Sequence, residues 1–239
     1  MASRMSGLAY ARTTGLLFLL MFVVGGFAEG YPRSVLIVPG DATATAAKIV
    51  AGEPLFRLGL VCFLVSSLLN TAQTFFLYML LKPVGRLALL ALIFQIISTA
   101  GFAMAQVPYY AALPILSGAD YLKTFSPDQL NTLALLSVRV SGFNQVLFKL
   151  HYGAGAILFG YLMFRSRFLP RLIGISMMIS GAGLLGKPFF SVLAMPQAST
   201  ALTVPFEGGA LIVMLWLLIK GVDEAKWQES AARMERQGP

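Results

Sequence analysis

The chain has 239 residues, 57% of them in the apolar set AVILMFWYC and 12% charged, with a formal net charge of +8. Soluble domains carry about 25% charged residues, and a mean hydropathy of +0.77 is that of an integral membrane protein. The basic residues are scattered among apolar runs, which excludes nucleic acid as a partner, since that footprint needs them gathered on one face.

One cysteine, Cys62, excludes a disulfide framework and multi-cysteine metal patterns. One histidine, His151, excludes paired axial haem ligation. No metal and no cofactor is implied.

Six apolar stretches are long enough to cross a hydrocarbon core of about 30 Å, which needs roughly 20 helical residues. The fold class is therefore all-α: a polytopic bundle of six transmembrane helices, with short interfacial helices on the outer side. The first stretch, Thr13–Gly30, follows Arg4 and Arg12 and has the outline of a signal peptide, but five further spans make it an uncleaved helix. The outer connection 31–53 contains Gly40-Asp41 ahead of Ala42–Val50, a short helix with Asp41 as N-cap. The second span, Pro54–Leu81, ends in the basic turn Lys82-Pro83-Val84-Gly85-Arg86, and the third runs over Leu87–Val107. The second outer connection, 108–141, holds Ser126-Pro127-Asp128-Gln129, an N-cap, a proline at the first helical position and a glutamine at the third. One helix from Pro127 to Arg165 would reach about 58 Å, so a break is expected near Gly142, before the fourth span Gly142–Phe164. The fifth and sixth spans are Leu172–Ser191 and Thr200–Ile219. Residues 1–222 thus form the transmembrane domain, and 223–239 a polar cytoplasmic tail that reads as a solvated helix.

Orientation follows from charge. Eleven of the eighteen basic residues (Arg4, Arg12, Lys82, Arg86, Arg165, Arg167, Arg171, Lys220, Lys226, Arg233 and Arg236) fall at the termini or in the two loops on their side. Cytoplasmic loops attract Lys and Arg. The chain is expected in the plasma (inner) membrane with both termini cytoplasmic.

Charged groups inside a bilayer are expensive, and each needs a reason. Counting at 1.5 Å per residue from the inner helix ends places Glu207, His151, Lys149, Lys187 and Glu29 about 20–26 Å from the inner surface. Arg57 and Glu53 stand at the outer start of the second span, with Asp41 in the connection before it. Asn144, Gln145, Asn70 and Gln73 add neutral hydrogen-bonding groups. The near-balance of signs suggests mutual pairing, which buried charges require.

Two uses of this layer compete. In one, Glu207 is a proton donor and His151 its partner base, with Arg57, Glu29, Asp41, Lys187 and Asn144 lining a pocket for a small lipophilic or amphiphilic molecule; desolvated carboxylates can act as general acids near neutral pH. In the other, the layer only holds helices together: Asp41 is an N-cap, Glu53 and Arg57 form a surface pair at i, i+4, and Lys149 and Lys187 snorkel to headgroups. A transporter or ion pathway is a further alternative, weakened by the absence of charges in the inner halves of the helices and of an inverted repeat. Whether the protein is an enzyme stays open at this level. The sets Gly153/Gly155/Gly160 and Ser176/Ser180/Gly183 are helix-packing surfaces.

The chain also resembles the bacterial multi-pass membrane proteins grouped as domain of unknown function 4386. The residues that carry the likeness are Gly40-Asp41, Leu55-Phe56-Arg57-Leu58-Gly59, the run from Tyr161 to Arg171, and Glu207 followed by Leu215-Trp216-Leu217-Leu218-Ile219-Lys220-Gly221. The resemblance spans roughly residues 10–222 and implies the same topology. It directs attention to Asp41, Arg57 and Glu207, and the family carries no assigned activity.

Overall fold

The computed structural model describes residues 5–194 and 203–237, the side chains of 203–207 and 237 excepted. Every regular element among them is helical: α1 Gly7–Leu36, α2 Ala42–Ala51, α3 Glu53–Leu81, α4 Leu87–Met104, α5 Gln106–Ile115, α6 Pro127–Arg165, α7 Arg171–Val192, α8 Thr203–Ile219 and α9 Glu224–Gln237, with 3-10 turns at Lys82–Val84 and Asp120–Leu122. Five stretches are long and apolar enough to cross a membrane: Gly7–Leu36, Glu53–Val84, Leu87–Ile115, Pro127–Arg165 and Arg171–Val192. Two shorter apolar helices accompany them among the described residues, α2 and the Gly208–Ile219 part of α8. Their outward faces are apolar as well; Leu68 on α3 is 73% exposed, as a lipid-facing side chain would be.

Local signals set several helix ends. Asp41 caps α2, its carboxylate accepting from the Ala44 N–H at 2.8 Å. Ser126 and Gln129 form a reciprocal capping box at the start of α6, with Ser126 N–H donating to Gln129 Oε1 at 2.8 Å and Gln129 N–H to Ser126 Oγ at 3.3 Å. α8 ends at Gly221, whose φ of 68° is a left-handed conformation that glycine adopts without a Cβ penalty.

Two expectations fail. The break near Gly142 is absent, and α6 is one helix of 39 residues. A glycine costs a helix only about 1 kcal/mol relative to alanine, and bilayer thickness limits the apolar span, not the helix. α1 likewise continues past Gly30 to Leu36, carrying Pro32 inside it. Pro32 has a helix-compatible φ and packs where a Cβ on Gly59 would stand 3.1 Å from its ring.

Two compact units divide the chain. One comprises Met1–Leu19, Leu69–Thr99 and Val146–Pro239, and the other Leu20–Leu68 and Ala100–Gln145. The core of the first unit gathers Leu77, Leu80, Phe159, Met163, Ile173, Val213, Leu217 and Trp227. Its helices meet through glycine. Built on Gly153, a Cβ would lie 2.6 Å from Gly181 O; on Gly174, 2.6 Å from Gly160 O. Each helix of the α6–α7 pair thus presents two glycines seven residues apart, two turns along one face. Gly209 of α8 meets α7 in the same way, 2.6 Å from Ser176 O, and Gly15 of α1 meets α8, 2.6 Å from Leu218 N. Small residues at helix crossings let backbones approach and gain dispersion contacts where lipid offers no hydrophobic driving force.

A polar ladder ties three further stretches of this unit. Asn70 Nδ2 donates to Thr99 Oγ1 at 2.6 Å, Gln95 Nε2 to Tyr152 O at 3.1 Å, and Ser98 Oγ to Phe148 O at 3.0 Å. The tail helix α9 is docked on one face rather than free in water. Trp227 is buried, its Nε1 donating to Leu80 O at 2.9 Å. The Glu224 carboxylate accepts from the N–H groups of Gly7 at 3.2 Å and Leu8 at 2.7 Å, and so caps α1 from the far end of the sequence.

The second unit is built around Leu36, Ile49, Phe56, Leu60, Tyr109, Ala112, Ala134 and Val138. Tyr109 stacks on Phe56 with ring centroids 4.4 Å apart and 12° between planes.

Candidate functional site

The residues singled out in the sequence fall in both units. Glu29, Asp41, Arg57 and Asn144 belong to the second; Lys149, His151, Lys187 and Glu207 belong to the first. Asp41 is engaged as the α2 cap. Arg57 Nε donates to Glu53 Oε1 at 2.7 Å, with both side chains about half exposed. Lys149 and Lys187 are half-buried on α6 and α7. His151 is half-buried, its ring centroid 6.3 Å from that of Phe94, and its Nδ1 is buried without a hydrogen-bond partner among the described residues. Glu207 lies on α8, but its side chain is outside the described residues.

Glu29 is the sequence candidate that the second unit gathers into a cluster. It stands one turn before Arg33 on α1, with Arg33 Nε 3.9 Å from Glu29 Oε2. The Arg33 side chain is only 18% exposed, against 50% for Glu29. Its guanidinium lies 4.8 Å from the Tyr109 ring centroid and 5.7 Å from that of Phe63. A cation over aromatic faces is attracted by their quadrupoles, by about 0.5–2 kcal/mol per ring according to desolvation.

Gln145 of α6 joins these groups. With its amide nitrogen turned to Glu29, it donates to Oε1 and Oε2 at 3.2 and 3.3 Å, while its oxygen accepts from Gln106 Nε2 at 2.9 Å and Arg33 Nη2 at 3.0 Å. An amide suits this place because it donates and accepts at once. Its neighbour Asn144 is half-buried. Gly142 faces the same guanidinium one turn earlier, where a Cβ would stand 3.9 Å from Arg33 Nη1, an ordinary contact.

The cluster is incompletely satisfied. Arg33 Nε, Gln106 Oε1, Tyr109 OH and Ser141 Oγ are buried with no hydrogen-bond partner among the described residues. Leaving one buried polar group unpaired costs about 1–3 kcal/mol, and native structures carry few such groups. Four such atoms lie in one unit, a guanidinium nitrogen among them.

The sequence did not mark Arg33, Gln106 or Tyr109. With the first span ending at Gly30 and an outer connection over 31–53, Arg33 falls outside the spans in the sequence reading; the i, i+4 spacing of Glu29 and Arg33 was the available signal.

No curated protein and no solved structure matches the chain. A family model matches residues 13–221, from the second turn of α1 through the end of α8. The chain belongs to the family described as Domain of unknown function (DUF4386).

Proposed function

We propose that the protein binds a small amphiphilic molecule within the membrane, with the Arg33 cluster holding its polar head. The observation that carries this reading is the set of unpaired buried atoms in the second unit, with Arg33 Nε and Tyr109 OH among them and the Arg33 guanidinium over the Tyr109 ring. Buried cations need a counter-charge, and Glu29, half exposed and 3.9 Å from Arg33 Nε, supplies one loosely. An anionic head such as a carboxylate would accept from Arg33 Nε and from the Tyr109 and Ser141 hydroxyls, while its acyl chain lay along apolar helix faces. On this reading α8 is a sixth span, both termini are cytoplasmic, and the Arg33 cluster faces the outer leaflet. The lopsided basic residues support that orientation.

A general acid and base role for Glu207 and His151, which belong to the first unit, is a separate proposal, tested by Glu207→Gln. The reading of the cluster as a helix lock has its own support, since Gln145 alone bridges Glu29, Gln106 and Arg33. One experiment divides the two. The full chain in lipid nanodiscs is titrated with a fluorescent fatty acid, alongside Arg33→Gln. Binding expects saturable fluorescence that weakens by about tenfold or more in the variant, as loss of a charged hydrogen bond predicts, with the melting temperature little changed. A lock expects no saturable binding and a marked fall in melting temperature, and that result defeats the proposal.

A further inference from the structure

The first unit holds a different charged feature that the Arg33 reading does not use. A cavity of about 740 Å³ is lined by Lys82, Arg86, Arg165, Arg167 and Arg233, with no acidic side chain on its wall. These five cations come from three separate segments: the turn after α3, the end of α6 with the linker that follows it, and α9. This is a convergence produced by the fold, unlike a run of like charges along one solvated helix.

Little in the protein offsets them. Arg233 pairs with Glu229, and Arg165 Nη1 donates to Tyr161 OH at 3.3 Å. Lys82 and Arg86 form no ion pair or hydrogen bond among the described residues. The Arg167 guanidinium contributes to holding the Glu229 carboxyl below its usual range, after the larger effect of Arg233. Like charges around one concavity raise its potential and attract a compact multivalent anion. Guanidinium groups match phosphate oxygens two at a time, whereas lysine adds a point charge. Tyr78 and Leu89 supply an apolar wall beside the charges.

The position is fixed by packing. The Trp227 and Glu224 contacts dock α9, and Asp223 N–H donates to Phe168 O at 3.1 Å, which ties α9 to the same linker that bears Arg165 and Arg167. Ser230, Arg233 and Met234 of the seated tail helix supply one wall of the cavity.

We propose that this cavity is a binding site for a phosphate group carrying two negative charges, presented by a lipid headgroup or by a soluble phosphate. The test uses the full chain in detergent, with native mass spectrometry to count bound dioleoyl phosphatidic acid against dioleoyl phosphatidylcholine, and calorimetric titration with inorganic pyrophosphate. The expected result is preferential binding of phosphatidic acid, of pyrophosphate or of both. Binding of the lipid alone assigns the headgroup as the source, and binding of pyrophosphate assigns a soluble ligand. Arg86→Gln combined with Arg167→Gln, both exposed positions, should weaken that binding by about tenfold or more, while Lys48→Gln combined with Lys123→Gln leaves it unchanged. Melting curves without ligand confirm that the variants are folded. The proposal is overturned if phosphatidic acid binds no better than phosphatidylcholine and pyrophosphate does not bind, or if the Arg86/Arg167 variant keeps the parent affinity.

Discussion

Gly153→Ala adds one methyl group at the closest part of the α6–α7 crossing. Its carbon would press closest on Leu185 N and stand 2.6 Å from Gly181 O, whereas ordinary contact begins at 3.4 Å, so the two helices must part locally by more than about 0.8 Å. Both neighbours there are backbone, which cannot swing aside as a side chain can. Overpacking of this kind costs about 1–3 kcal/mol. Alanine in place of glycine recovers up to about 1 kcal/mol of helix propensity, leaving a net loss of about 0–2 kcal/mol. Gly26→Ala gains the same propensity at a helical position where the new carbon meets nothing within 4 Å. The difference between the two variants therefore isolates the packing term, about 1–3 kcal/mol. Thermal unfolding in detergent, with both variants beside the parent chain, measures it. Gly26→Ala should be at least as stable as the parent and Gly153→Ala less stable than Gly26→Ala. Equal stability of the two would refute the close backbone approach as a stabilising contact.

Other outcomes follow from the docked tail and the caps. Glu224→Ala uncaps α1 and should cost about 0.5–2 kcal/mol, with faster hydrogen exchange at the Gly7 and Leu8 amides as the local signature. Trp227→Phe leaves Leu80 O without its donor and should lower stability by about 1–3 kcal/mol, read in the same melts. Asp223 has its carboxyl held below the usual aspartate range, first by the hydrogen bond from the Lys226 side chain and then by the Lys226 backbone N–H. Its ionised form is favoured in the folded state, so its contribution is full above the unfolded aspartate pKa and fades as pH falls through the lower folded value. Acid titration of melting temperature should show this fall in the parent chain and less of it in Asp223→Asn, which keeps a capping side chain without the charge. Asp41→Asn should leave fatty-acid binding unchanged, because asparagine caps a helix nearly as well as aspartate; lost binding would return Asp41 to the ligand site.

Much of the helical framework was legible because its signals are local. Ser126 and Gln129 announce the start of α6 within four residues, Asp41 announces α2, and Glu53 and Arg57 lie one turn apart on a single helix. The Arg33 cluster was not legible, since its members come from α1, α5 and α6 and only folding sets Gln145 between Glu29 and Gln106. The local signal at Arg33 was even misleading, because a proline two residues after a glycine reads as a terminator until Gly59 opens a place for its ring. Small-residue sets on α6 and α7 were visible, but not that Gly153 meets Gly181 and Gly160 meets Gly174. Such pairing is a property of helix rotation, which weakly amphipathic, lipid-facing helices do not encode in their hydrophobic pattern.

The carboxylate that caps α1 has a consequence for biosynthesis. Glu224 lies 217 residues after Gly7, and at a synthesis rate of about 5–20 residues per second the ribosome needs roughly 10–40 s to reach it. Throughout that interval the leading amides of α1 have only water as partners, and the backbone oxygen of Leu80 awaits the indole of Trp227. Both vacancies close in one event, when α9 folds back onto helices made long before it. A polypeptide stalled between α8 and α9 would keep its spans yet display an open α1 terminus and a missing wall beside Lys82 and Arg86. The clasp thus marks chains that extend through α9, and a membrane protease that samples loose helix ends would meet it as the difference between a chain with a seated α9 and one without.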